Sequence, residues 1–135
     1  MSVSDWSSDV CSSDLVQGRQ HEPRVERWQR LAEAAVAQCG RSRAPLVSPP
    51  RPIAEFVATA EGRRVVADPA APVVPRLAGA RSLTVLVGPE GGFTAGEVAA
   101  ALAAGFQPLG LGPRILRAET AALAATAVAT AAAGW

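Results

Sequence analysis

The sequence predicts an α/β fold, a mostly parallel sheet flanked by helices, and three observations carry that expectation. Within Ser82 to Val87, β-branched and aliphatic residues leave no room for a polar face, as in a strand buried on both sides. This run enters a loop with three glycines, Gly88-Pro89-Glu90-Gly91-Gly92, and the order strand, glycine loop, helix then recurs from about Pro108 onward. Thr94 and Glu97 form a T-x-x-E capping box, which sets the start of the helix between the two strands.

The elements follow in chain order. Residues 2–15 contain a near repeat, Ser7-Ser8-Asp9-Val10 and Ser12-Ser13-Asp14-Leu15, with neither a helical nor a strand period. They are expected to be a disordered tail, and they also resemble a translated sequencing-library adapter, so 1–15 is set apart from a domain at 16–135. A helix is expected from Pro23, because proline suits a first turn and Val25, Trp28, Leu31, Ala32, Ala35, Val36 and Cys39 recur at steps of three and four. Gly40 is its expected stop. Arg24, Arg27, Arg30, Arg41 and Arg43 lie away from that apolar stripe, either as a solvated face or as a strip facing RNA. Leu46-Val47 is a short strand candidate in a proline-rich loop, and Ile53 to Ala60 a short helix stopped by Gly62. Val65-Val66-Ala67 is a buried strand ending at Asp68-Pro69, and a loop follows through Pro75 and Gly79. A helix at 94–104 ends at Gly105, a strand spans about Pro108 to Leu111, and the loop Gly112-Pro113-Arg114 leads into the last helix.

Length and composition narrow the function classes. At 135 residues the chain fits one domain, with 49% hydrophobic and 19% charged residues. The formal charge of +1 hides an asymmetry: residues 2–15 hold Asp5, Asp9 and Asp14 and no base, leaving 13 basic against 9 acidic residues elsewhere. Such a mildly basic, arginine-rich remainder is compatible with RNA. Cys11 and Cys39 have no CxxC or His-rich partner, so unpaired thiols in a reducing cytoplasm are expected and no metal site is. No apolar run reaches the roughly 20 residues of a membrane helix, and residues 118–133 are interrupted by Glu119 and threonines.

In open α/β sheets ligands bind beyond the carboxyl ends of the strands, where both the 88–92 loop and the 111–117 loop are expected. The first is neither a P-loop nor a dinucleotide fingerprint, since no GK[ST] follows and the G-x-G-x-x-G spacing is absent. The second, Leu111-Gly112-Pro113-Arg114-Ile115-Leu116-Arg117-Ala118-Glu119, places two arginines and a carboxylate at a helix entrance. An internal Arg117 to Glu119 pair bracing the loop is one expectation; a charged site is the other.

The strings VGPEGGFTAGE (87–97) and LGPRILRAETA (111–121) together resemble the paired signature of the 16S ribosomal RNA uridine-N3 methyltransferases, a branch of the SPOUT superfamily. Glu26-Arg27-Trp28 and Ala37-Gln38-Cys39-Gly40-Arg41 are similar to that family's entry helix, and the likeness covers most of 24–133. Ala118 departs from the family's commoner threonine. The resemblance implies a C-terminal trefoil knot, a missing N-terminal PUA-like RNA-binding domain, and a homodimer with the knots at the interface. It implies S-adenosylmethionine as cofactor, held by Val87, Gly88, Pro89, Glu90, Gly91 and Gly92 and by Leu111, Gly112, Pro113, Arg114, Ile115 and Leu116, with Asp68-Pro69 as a third wall. The implied partner is 16S rRNA in the small ribosomal subunit; the alternatives are a cofactor-binding fragment without RNA methylation and a SPOUT enzyme acting on another RNA.

The implied reaction is direct displacement on the sulfonium methyl by uracil N3, with charge spreading to O2 and O4 as the N3 proton leaves. Arg117 is the first candidate to stabilise that charge and Arg114 the second. Glu119, in a first helical turn near arginines, is expected to stay ionised and to orient Arg117. His21 stands in the N-terminal stretch, so no general base is assigned.

Overall fold

A computed structural model describes residues 7–11, 21–71 and 75–135. The chain divides into two compact units, 1–56 and 57–135.

The first unit contains strand β1 (Ser7–Cys11), helix α1 (His21–Cys39) and strand β2 (Leu46–Arg51). The strands run parallel, Ser7 opposite Leu46 and Ser8 opposite Val47, with an irregularity between Asp9 and Cys11. β1 is thus found inside the stretch expected to form a tail; residues 1–6 and 12–15 lie outside the described residues, as do the side chains of Cys11 and His21. α1 begins two residues before Pro23 and ends where expected, with Gly40 left-handed at φ 71°. Val25, Trp28, Ala32 and Val36 of the apolar stripe are half-buried, whereas Leu31, Ala35 and Cys39 are exposed, Cys39 as a free thiol. Gln29 lies beside the stripe and joins α1 to β2. Its Nε2 donates to the Pro45 carbonyl at 3.2 Å, and its Oε1 accepts from the Val47 amide at 2.9 Å. One side-chain amide thereby satisfies the two groups that a neighbouring strand would otherwise pair.

The second unit holds β3 (Arg63–Ala67), β4 (Leu83–Leu86), α3 (Ala95–Ala103), β5 (Gln107–Leu109) and α4 (Ala118–Ala133); α2 (Ile53–Thr59) leads into it. Its sheet is entirely parallel, in the order β4-β3-β5. β3 is central, and its adjacent Val65 and Val66 are both buried, one on each pleat face. Val65, Leu77, Leu109 and the α4 alanines Ala125, Ala129 and Ala133 form one cluster, onto which Leu83 and Val85 pack. Alanine at every fourth position of α4 presents a small surface, which lets the helix approach the sheet closely. β5 sits at a sheet edge, where Pro108 costs no ladder hydrogen bond.

α3 starts where the capping box predicts. The Thr94 hydroxyl accepts from the Glu97 amide at 3.2 Å, and the Glu97 carboxylate accepts from the Thr94 amide at 2.7 Å. Among the described residues no helix is long and apolar enough to cross a membrane.

Candidate functional site

With β3 in the middle, β4 on one side and β5 on the other, the three segments that leave the carboxyl ends of these parallel strands converge on one edge of the sheet. A strand order that reverses at β3 opens a crevice there. The crevice is a cavity of about 300 Å³, at the small end of the roughly 300 to 1,000 Å³ of ligand pockets.

Each wall comes from one segment. After β3, Asp68 and Pro69 line the cavity together with Val66 and Ala67. Asp68 is fixed from two directions: its amide donates to the Leu109 carbonyl at 3.1 Å, and its Oδ1 accepts from the Ala70 amide at 2.8 Å in an Asx turn. After β4, Val87 through Phe93 form the second wall. The Gly92 amide donates to the Pro89 carbonyl at 2.8 Å, closing a tight turn, and Gly92 takes φ 74°, a conformation that favours glycine. At Gly88 the crowding is of a different kind, since a Cβ there would stand 3.2 Å from the Phe93 ring, which would have to shift by a few tenths of an ångström. After β5, Leu111, Arg114, Ile115 and Leu116 supply the third wall, and Ala118 and Ala121 of α4 extend it.

All six residues of the first loop named from the sequence, 87–92, therefore line one cavity with Leu111, Arg114, Ile115 and Leu116. Gly112 and Pro113 do not line it, although the neighbouring Arg114 and Ile115, which are exposed as well, do; Gly112, at φ 101°, turns the chain. Arg117 and Glu119 are also exposed and do not line the cavity. Arg117 occupies the N-cap of α4, where its carbonyl accepts from the Ala121 amide at 2.7 Å and its side chain makes no cap bond. Among the described residues no ion pair joins it to Glu119, so the loop is not braced in that way.

Sequence reasoning passed over Phe93, Val98, Ala118 and Ala121, which also line the cavity. Val98 and Ala121 had a usable signal: each lies one turn inside a helix that begins at the crevice, on the face that i, i+3 and i, i+4 spacing turns back toward it. The lining is mostly apolar with three ionisable side chains, Asp68, Glu90 and Arg114, and with glycine main chain open to close approach. Such a site suits a small ligand with an apolar body and charged or hydrogen-bonding groups.

A family described as an RNA methyltransferase domain matches residues 2–130. Ribosomal RNA small subunit methyltransferase E of Synechocystis sp. is 37% identical over 113 residues, covering 77% of this chain and 37% of that protein. Its Mycobacterium tuberculosis namesake is 32% identical over 129 residues, 89% of this chain and 49% of that one. The chain thus spans half or less of the length of these curated relatives. A crystal structure of ribosomal RNA small subunit methyltransferase E from Neisseria gonorrhoeae bound to S-adenosyl methionine superposes with a TM-score of 0.79 at 29% identity, over 93% of this chain and 53% of that one. A Legionella pneumophila structure in complex with SAM gives 0.79 at 30% identity, over 97% and 56%.

Proposed function

This chain belongs to the RNA methyltransferase domain family, and from that membership we propose that it is the cofactor-binding and catalytic part of an enzyme that methylates N3 of a uridine in 16S ribosomal RNA, with S-adenosylmethionine as methyl donor. The carrying observation is the single cavity built by the segments after β3, β4 and β5. Two structures similar to this chain over more than nine tenths of its length hold that donor, which supports the assignment.

The residues present fit such a ligand. The glycine turn admits close main-chain approach at 88–92, and Val66, Val87, Leu111 and Leu116 offer an apolar lining that excludes water. When bound, S-adenosylmethionine supplies an electrophilic methyl group on a sulfonium. The chain's own contribution is alignment of the base with that methyl and stabilisation of charge. Arg114 takes the first place in the second role, because it lines the cavity, which Arg117 does not, while staying accessible from solvent. Its charge would offset the negative charge that develops on uracil O2 and O4 as the N3 proton passes to solvent water. Arg117, exposed outside the cavity at the start of α4, meets the incoming RNA, and Glu119 in the first turn orients it. The exposed Arg24, Arg27 and Arg30 of α1 contact its phosphates.

In this proposal residues 16–135 form the methyltransferase domain, the C-terminal segment is threaded as a trefoil knot, and the enzyme works as a cytoplasmic homodimer. Leu123 on α4, 74% exposed, is part of the dimer contact. The test is tritium transfer from labelled S-adenosylmethionine to small ribosomal subunits and to transfer RNA, beside calorimetry with the donor alone. Label at uridine N3 of 16S rRNA supports the proposal. Label in transfer RNA alone replaces it with another RNA substrate, and donor binding without transfer reduces the chain to a cofactor-binding fragment.

A further inference from the structure

We infer that Asp68 makes the cavity selective for the positively charged methyl donor over its neutral demethylated product. The inference rests on the cofactor reading above and deepens it. Asp68 is half-buried just past the carboxyl end of the central strand, and it lines the cavity. Its position is set rather than adjustable, because the bond from its amide to Leu109 continues the β3 to β5 ladder and the bond from Ala70 to Oδ1 fixes the carboxylate. Among the described residues no cation stands within ion-pair distance of it, although Arg114 lines the same cavity. A half-buried carboxylate without a counter-cation, beside Val66, Ala67 and Pro69, retains strong attraction for any cation that enters.

Methyl transfer converts a sulfonium into a thioether, so the donor loses one positive charge at sulfur while adenosine and the amino-acid end are unchanged. A fixed anion in the cavity therefore holds donor and product with different strength. Asp68 favours donor loading before the reaction and product departure after it, without a moving part. It is a specificity-determining residue, acting on the difference between two ligands rather than on the bond being broken.

The test is calorimetric titration of the full chain and of Asp68→Asn with S-adenosylmethionine, S-adenosylhomocysteine and sinefungin, which carries an ammonium near the sulfonium position. Asparagine keeps an Oδ1 that can accept from Ala70, so the substitution removes charge and preserves the turn. The unsubstituted chain is expected to bind donor and sinefungin more tightly than product. Asp68→Asn is expected to weaken donor and sinefungin by about tenfold and product by less than about twofold. Equal weakening of all three ligands, or no change in their order, overturns the inference and leaves the cavity assignment standing. Failure of the unsubstituted chain to bind any of them overturns the cavity assignment itself. Should Asp68→Asn fail to fold, the ligand order on the unsubstituted chain decides, and product binding as tightly as donor overturns the inference.

Discussion

The guanidinium of Arg64, on the central strand, donates through Nη1 to the Ala104 carbonyl at 2.8 Å, at the point where α3 ends. The same nitrogen reaches the Ala60 carbonyl, one residue past α2, at 3.3 Å. One cation thus serves the carbonyl ends of two helices, where the helix dipole favours positive charge. Arg64→Met keeps much of the aliphatic stem and removes both bonds, so it is expected to cost about 1 to 3 kcal/mol in urea unfolding.

Two left-handed glycines separate backbone strain from collision. Gly62 and Gly40 both have φ 71°, but only at Gly62 is the space filled, a Cβ there lying 2.7 Å from the Ser82 carbonyl oxygen. Gly40→Ala should cost about 1 kcal/mol, the ordinary cost of a left-handed alanine. Gly62→Ala should cost at least about 2 kcal/mol, because it also displaces the Ser82 carbonyl that accepts from Arg63. Similar losses in the two variants would show that the 62–82 approach relaxes freely.

On α4, Ala129 is fully buried against the sheet and Ala127 faces outward. Ala129→Leu is expected to destabilise by about 1 to 3 kcal/mol through overpacking. Ala127→Leu should stay within about 0.5 kcal/mol, as surface changes do. Thermal unfolding of both variants checks the orientation of the helix.

Thr94→Ala removes the acceptor of the Glu97 amide and one half of the capping box. The expected loss is about 1 kcal/mol. Because Phe93 and Val98 flank this cap and line the cavity, donor affinity measured by calorimetry is expected to fall alongside stability.

Replacing Arg24, Arg27 and Arg30 together by glutamine tests their contact with phosphates. The slope of log affinity for ribosomal RNA against log salt should become shallower by about two to three, at roughly 0.7 to 0.9 per phosphate contact, while donor affinity is unchanged. An unaltered slope would return these arginines to a purely solvated role.

Local chemistry made the second unit legible. The capping box, the apolar runs at 65–67 and 82–87 and Gly105 each mark an element there to within about two residues, as Gly40 does for α1 in the first unit. What escaped depends on partners distant in sequence. β2 continues through Pro49 and Pro50 to Arg51, although proline argues against a strand, because Gln29 and β1 hold its backbone. β1 itself has no periodic pattern to announce it. Within the site, the spacing of 111–121 could not tell which arginine enters the cavity. Both arginines are exposed, yet of the two only Arg114 lines the cavity, a difference that depends on the path the chain takes after β5 through the positive-φ turn at Gly112.

The cavity borrows its walls from three stretches that α3 and the 69–82 connection keep far apart along the chain, so it exists only when the whole sheet is assembled. Occupancy and native structure are consequently linked: a molecule that fits there adds RT ln(1 + [L]/Kd) to the resistance of the entire second unit against unfolding. Melting would be delayed as a block rather than loop by loop, making protection against heat a gauge of affinity even in a variant that transfers nothing.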